Sequence, residues 1–237
     1  GSFLEPAPIV PVSARTREGV PALVEALVEG AMAVPERPAH DRARLPVDRS
    51  FTVKGFGTVV TGTLVAGTIR AGDELDILPD ARRVRVRGIE VHGAGVPEAR
   101  AGQRTALNLQ GVAHDAIVRG DLLAEPGEFQ ATSMFDARVD VLADAPAPLE
   151  DLDRVRLHAG TAEILARVRP LGTVELEPGA SGYVQFRLER PAVLVPGDPF
   201  IFRRYSPAAT WGGGVVIDAF PDKHRRADVA AARELAD

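Results

Sequence analysis

The residues that could do chemistry are sparse. Gly57-Thr-Val-Val-Thr-Gly62-Thr63 nearly matches the phosphate-cradling pattern G-x-x-x-x-G-K-[ST]. The Lys is absent, so no cation would meet the terminal phosphates, and the segment alternates like a strand instead of opening a helix. A guanine-reading Asn-Lys-x-Asp motif is impossible, because the only Asn is Asn108. His40, His92, His114, His158 and His224 lie too far apart for metal-ligand spacing, and structural roles or exposed turns are expected for each. There is no Cys, which excludes thiolate metal sites, disulfides and Cys nucleophiles. No G-x-S-x-G elbow or hydrolytic carboxylate pair occurs. The chain is expected to have no catalytic residue and no metal site.

What remains is arginine chemistry. The 28 basic residues are all Arg except Lys54 and Lys223, within a net charge of −5. Guanidinium groups suit planar, bidentate recognition of phosphate and carboxylate, although base-composition bias would give the same count. Asp48-Arg49 and Arg104 form one candidate group; on adjacency alone they are a surface ion pair and a strand-end cation. Arg82, Arg83, Arg85 and Arg87 form a dense run in which Arg85 and Arg87 share one face and Val84 and Val86 the other. They fit either phosphate contacts or a solvated barrel face. Arg203 and Arg204 stand in Phe202-Arg-Arg-Tyr-Ser-Pro207.

The elements that must position these groups are mostly strands. Over 237 residues, 45% hydrophobic residues with 23 Gly and 19 Pro describe a globular chain of short strands and turns. Gly1-Ser2 reads as a vector scar and is set aside. Residues 7–14 read as a short buried strand ending in a Ser-Ala turn. Thr16 is placed to cap a helix over 19–33, carried by Val20, Leu23, Val24, Leu27, Val28 and Ala31 and ended by Val34-Pro35. Pro35 to Arg44 reads as a linker. From Leu45 the period becomes two: Val47 to Val53 alternates, Gly55, Gly57, Gly62, Gly67 and Gly72 punctuate, and the parity change between Val86 and Ile89 predicts a bulge at Gly88. Six or more strands in about 80 residues predict a closed barrel. A second alternating stretch runs from Met134 to Asp218, and the tail from Asp228 reads as a helix start in a chain that continues. No apolar run approaches the roughly 18 residues a membrane span needs, and no secretory signal opens the chain.

The expected fold class is mainly β. Residues 1–44 hold the scar, a strand–helix piece and a linker; 45–125 form a first barrel, 130–220 a second, and 221–237 a helical stub.

The string Leu45-Pro-Val-Asp48-Arg49-Ser-Phe-Thr-Val-Lys54-Gly55-Phe-Gly57-Thr-Val-Val-Thr61-Gly62-Thr63 resembles the opening of domain II in translational GTPases, most closely the selenocysteine-specific elongation factors. Gly72-Asp73 and Ala101-Gly102-Gln103-Arg104 fit later landmarks of that domain. His158-Ala-Gly-Thr161-Ala-Glu163 and Trp211-Gly-Gly-Gly214-Val-Val-Ile-Asp218 resemble its domain III. Pro11-Val12-Ser13-Ala14 resembles the last guanine-nucleotide motif, with the final helix of the GTPase domain behind it, which makes Ser13 and Ala14 a remnant of a guanine contact.

The resemblance implies a translation-factor pair of barrels that binds selenocysteinyl-tRNA and delivers it to the ribosome under GTP control. It implies an aminoacyl pocket at Asp48, Arg49 and Arg104. A selenol is more acidic than a thiol, so guanidinium groups would favour the selenolate over neutral Ser, while Asp48 holds an Arg or accepts from the aminoacyl amine. Arg85, Arg87, Arg203 and Arg204 are the implied tRNA phosphate contacts. GTP and Mg belong to the intact parent, a GTPase. This stretch lacks the phosphate loop and is expected to be inactive toward GTP, to need no cofactor and to be monomeric. A messenger-RNA hairpin would be read by a part following the second barrel, in the cytoplasm and away from membranes. Alternatives within the same architecture are a general aminoacyl-tRNA carrier, an initiation factor of the gamma type or the GTPase subunit of a sulfate adenylyltransferase. A barrel module without nucleic acid also remains open.

Overall fold

A computed structural model describes residues 7–34 and 41–235. The expected chain ends and the linker residues Pro35, Arg37, Pro38 and His40 lie outside the described residues. The chain divides into two units, Gly1–Arg37 and Pro38–Asp237.

In the first unit, residues 7–13 form no strand, and Ile9 is 94% exposed. The expectation of a buried strand is corrected. An apolar run becomes a strand only where a neighbouring strand takes its N–H and C=O groups, and the described residues of this unit supply none. Ser13 closes a turn instead: its carbonyl accepts from the Arg17 N–H at 2.8 Å and its hydroxyl from the Thr16 N–H at 3.2 Å. Helix α1 follows at Val20–Ala33, as its period predicts. Thr16 does not cap it. Gly19 does, with a left-handed φ of 73°, because the turn that enters the helix needs a conformation glycine adopts freely.

In the second unit the chain forms β1 (Arg44–Val53), β2 (Gly57–Thr63), β3 (Thr68–Arg70), β4 (Glu74–Leu78), β5 (Arg82–Val91), β6 (Ala94–Val96), β7 (Glu98–Arg100), β8 (Arg104–Gln110) and β9 (Leu122–Ala124). The order β4-β9-β1-β2-β8-β5 closes on itself through β4–β5, with β6 on the end of β5 and β3–β7 as a separate pair. Gly57–Thr63 is therefore a strand paired on both sides. The interior is aliphatic, with Leu45, Val60, Ile69, Ile77, Val86, Leu107 and Leu123 all but inaccessible. The predicted bulge at Gly88 is present as a register shift between Val86 and Gly88.

The second barrel comprises β10 (Thr132–Val141), β12 (Arg154–Ala159), β13 (Ala162–Leu171), β15 (Ser181–Ala192), β16 (Pro199–Arg204) and β17 (Thr210–Asp218), with the short pair β11 (Leu149–Glu150) and β14 (Glu175–Leu176) beside it. Its closed order is β10-β15-β13-β12-β16-β17. The core is aromatic. Phe135 stacks on Phe186 at 4.9 Å, and Phe200 meets Phe186 edge-on at 5.2 Å. Gly212 and Gly214 make room for these rings: a Cβ there would lie 2.7 Å from Phe202 and 2.9 Å from Phe200.

The two barrels share one unit and touch directly. Arg44 donates two hydrogen bonds to the Asp198 carboxylate, at 3.0 and 3.1 Å. Leu78, Leu122 and Ala124 pack with Phe129 and Val193 in a small core at the junction. After β17 the chain lies back over the second barrel. His224 Nε2 meets the buried Asp136 carboxylate at 2.5 Å, Gln185 donates to the Asp222 carbonyl at 2.9 Å, and Asp228 caps α2 (Val229–Glu234).

Candidate functional site

A bulge builds the site on the first barrel. Val47 pairs with Gly62 but Arg49 pairs with Thr61, so Asp48 is an extra residue in β1. Alternation alone puts Val47, Arg49, Phe51 and Val53 on one face. The bulge corrects that: Val47 stays inside, while Arg49 and Phe51 turn outward.

Asp48 is brought to Arg104 of β8, 56 residues away in sequence. Both terminal nitrogens of Arg104 donate to its carboxylate, and Thr61 of β2 donates to Oδ1 at 2.6 Å. Burial pushes the Asp48 carboxyl upward, but the hydrogen bonds from Arg104 and Thr61 and the nearby charges of Arg104 and Arg49 outweigh it and hold it below its ordinary value. The same contact raises Arg104. The Asp48 side chain is 15% exposed and that of Arg104 50%, so the pair sits at the surface with its carboxylate sheltered. Arg49 is exposed and adds its field without a hydrogen bond to Asp48.

Beside this group the same outer face sinks into an open cleft of about 590 Å³. Phe51, Val53, Phe56, Val59, Ile89 and Ala106 give it apolar walls, and Arg87, Glu90 and Asn108 give polar edges. Arg104, Ala106 and Asn108 alternate along β8, which makes the ion pair and the cleft one continuous surface. Phe56 is 64% exposed and Phe51 39%. Asn108 donates to the Phe56 carbonyl at 2.8 Å, while its Oδ1 is buried with no partner. Sequence reasoning missed Thr61 and this cleft: Phe51 shares the parity of Val47 and Val53 until the bulge turns it outward, and Phe56 stands in the turn between β1 and β2.

The arginine run of β5 separates into two kinds. Arg83 is tied to Asp76 at 2.7 Å, and Arg82 to the Ala116 carbonyl. Arg85 and Arg87 project outward, Arg87 at the rim of the cleft.

On the second barrel, Arg203 lies opposite Arg156, and Arg154, Arg167 and Arg187 lie directly across from one another on β12, β13 and β15. Like charges so placed repel unless anions intervene. Glu189 holds Arg154 at 2.6 Å and Glu163 holds Arg156 at 2.6 Å, while the Tyr205 ring lies 4.6 and 5.0 Å from the two guanidinium carbons. Nε and Nη2 of Arg187 and Nε of Arg203 are buried without partners. Alternation sends Arg204 the other way, 5.8 Å over the Trp211 ring. Arg154, Arg156, Arg167 and Arg187 were not singled out from sequence, because their association depends on the register of three strands. Ser13 and Ala14 lie in the turn of the first unit.

Two family models match. Residues 136–223 match the β-barrel domain of the selenocysteine-specific elongation factor, and residues 57–124 match elongation factor Tu domain 2. The selenocysteine-specific elongation factor of Desulfomicrobium baculatum is 44% identical over 227 residues, 95% of this chain and 36% of that protein. The chain belongs to the selenocysteine-specific elongation factor family. The family's member from Methanocaldococcus jannaschii is 30% identical over 233 residues, covering 91% of this chain and 50% of the relative. Elongation factor Tu 2 of Streptomyces avermitilis is 34% identical over 220 residues, 88% of this chain and 56% of that one. Among solved structures, the apo form of translation elongation factor SelB from Methanococcus maripaludis matches with a TM-score of 0.77 and 28% identity, over 90% of this chain and 51% of that chain. The chain thus spans between about a third and just over half of these proteins.

Proposed function

We propose that the two barrels grip selenocysteinyl-tRNA, and that the full-length protein delivers it to the ribosome with GTP for selenocysteine incorporation. The observation that carries this is the Asp48–Arg49–Arg104 group set beside an aromatic-walled cleft on one outer face. A selenolate needs cations, which Arg49 and Arg104 supply, and an aminoacyl amine needs an acceptor, which Asp48 supplies. The adjoining cleft suits the terminal nucleotide: Phe51 and Phe56 offer faces for stacking, and Glu90 offers a hydrogen-bonding group at the edge.

Arg85 and Arg87 on the first barrel, and Arg203 with Arg154, Arg156, Arg167 and Arg187 on the second, take phosphates along the acceptor side of the tRNA. Arg204 leaves its strand on the other side, over the Trp211 ring, and would meet a phosphate apart from that face. Phosphate neutralisation supplies affinity without reading the amino acid. GTP with Mg, the guanine contact at Ser13 and Ala14, the messenger-RNA hairpin and a cytoplasmic place of action belong to the same reading of the full-length protein. Among the described residues no helix is long and apolar enough to cross a membrane.

The test is equilibrium binding of one tRNA, charged with selenocysteine or with serine, to the GTP-loaded full-length protein. The reading expects the selenocysteinyl form to bind at least about tenfold tighter, the worth of one charge-assisted hydrogen bond. Equal affinities would remove its basis.

A further inference from the structure

The sequence presents two guanidinium groups at the pocket, but the structure presents one open cation and one closed ion pair. Arg49 makes no hydrogen bond to Asp48, whereas Arg104 gives both terminal nitrogens to the Asp48 carboxylate, whose Oδ1 is fixed by Thr61. In the ligand-free protein, then, Arg104 already has its anion. A ligand that is to use Arg104 must first part it from Asp48.

An aminoacyl ester carries an ammonium on its α carbon. With selenocysteine it also carries a selenolate on the β carbon, so the two charges lie three bonds apart. Such a zwitterion is complementary to the Asp48–Arg104 pair, ammonium to carboxylate and selenolate to guanidinium. One ion pair is exchanged for two, and no charge is left without a partner. A seryl ester offers only the ammonium. If that takes Asp48, the Arg104 guanidinium loses its anion and gains none. If it does not, the amine goes unread.

We propose that the aminoacyl pocket selects by ion-pair exchange: the closed Asp48–Arg104 pair is an internal competitor that only a ligand with both a cationic amine and an anionic side chain displaces without loss. Thr61 is the positioning residue, holding the Asp48 carboxylate in place while Arg104 changes partner. Arg49 supplies a constant attraction for the anion. The inference rests on reading this face as the aminoacyl pocket, and it makes a claim that reading does not. In a pocket with independent contacts, amine and side chain contribute separately. Under exchange they are coupled, because the amine frees the cation that the side chain then uses.

The experiment measures four dissociation constants with the GTP-loaded full-length protein. One tRNA is charged with selenocysteine under reducing conditions or with serine, each with a free or an N-acetylated amine. Acetylation removes the ammonium and adds bulk, and the bulk weakens both aminoacyl forms alike. Exchange predicts that the preference for selenocysteine over serine falls at least about tenfold on acetylation. An unchanged preference overturns exchange and leaves the pocket reading standing; no preference with free amines overturns both. In Asp48→Asn, which keeps the shape and removes the charge, acetylation should leave the residual preference unchanged. If it still alters that preference, the coupling runs through another group and exchange is overturned.

Discussion

The two barrels place their aromatic residues on opposite sides of the wall. In the second, Phe135, Phe186, Phe200, Phe202 and Trp211 fill the interior. In the first, the interior is aliphatic, and Phe51 and Phe56 stand outside at the rim of a cleft. A buried ring contributes stability; an exposed ring in a concave surface is available to a ligand. The polar groups divide in the same sense. The first barrel concentrates a closed ion pair and one open cation at a point, while the second spreads arginines over a broad face. One arrangement can distinguish functional groups, and the other can follow a chain of phosphates.

The largest effect should come from testing the aromatic contrast. Phe186→Ala should destabilise the protein by about 3–5 kcal/mol in urea unfolding, the usual cost of emptying a packed aromatic site. Phe51→Ala should cost less than about 1 kcal/mol, because its ring is partly exposed, and should weaken binding of aminoacyl-tRNA instead. Similar stability losses for the two would break the comparison.

Next in size is the junction. Arg44→Ala leaves the Asp198 carboxylate, 25% exposed, without its bidentate partner and should cost about 1–3 kcal/mol. Asp198→Ala in the same background should add only the loss of its bond from the Val195 N–H, so that a double-mutant cycle in thermal unfolding shows the two losses to be less than additive. Additive losses would mean that the barrels are not coupled through this pair.

A smaller effect concerns the arginine face. Arg187→Ala should weaken selenocysteinyl- and seryl-tRNA equally and lower the slope of log affinity against log salt by roughly one. A change in preference between the two tRNAs would assign this face a reading role as well.

The smallest effect is a difference in pH dependence. The Asp48 carboxyl is held below its ordinary value, so its stabilisation is present above about pH 4 and is lost as pH falls through the lowered value. Asp136 is pushed up by burial, against the hydrogen bonds of Gln185 and His224. Its favourable contribution is present below the ordinary carboxylate range and is lost as pH rises through the raised value. Asp48→Asn should therefore become more destabilising from acid toward neutral pH, and Asp136→Asn less so, in denaturant titrations across that range. Asp121, also raised by burial but in the first barrel, should behave like Asp136, which assigns the difference to pairing and not to the barrel.

The period of two and the glycine punctuation made both barrels legible, including the Gly88 bulge, because parity changes are visible in a linear string. The Asp48 bulge was not. Val47 to Val53 alternates without a break, and what lifts Asp48 outward is its pairing with Thr61 and Arg104, far away in sequence. Asp48, Arg49 and Arg104 could be named together only through the family resemblance, and that gave no hint that two of them are already bonded to each other. The arginine face escaped notice for a related reason: Arg154, Arg167 and Arg187 each look like one outward residue of a separate strand until register aligns them. The apolar stretch at residues 7–14 misled in the opposite way, since strand propensity has no effect without a partner strand, and the described residues of its unit form none.

The central claim is that the Asp48–Arg49–Arg104 group of the first barrel reads the amino acid, while the arginine face of the second follows the polyanion alone. Arg49→Ala and Arg203→Ala, in the GTP-loaded full-length protein, test it in one pair of titrations with selenocysteinyl- and seryl-tRNA. Arg49→Ala should weaken the selenocysteinyl form by roughly tenfold to a hundredfold and the seryl form little, and Arg203→Ala should weaken both by the same factor. Equal losses for both tRNAs in Arg49→Ala, or a selective loss in Arg203→Ala, would contradict the division of labour between the barrels.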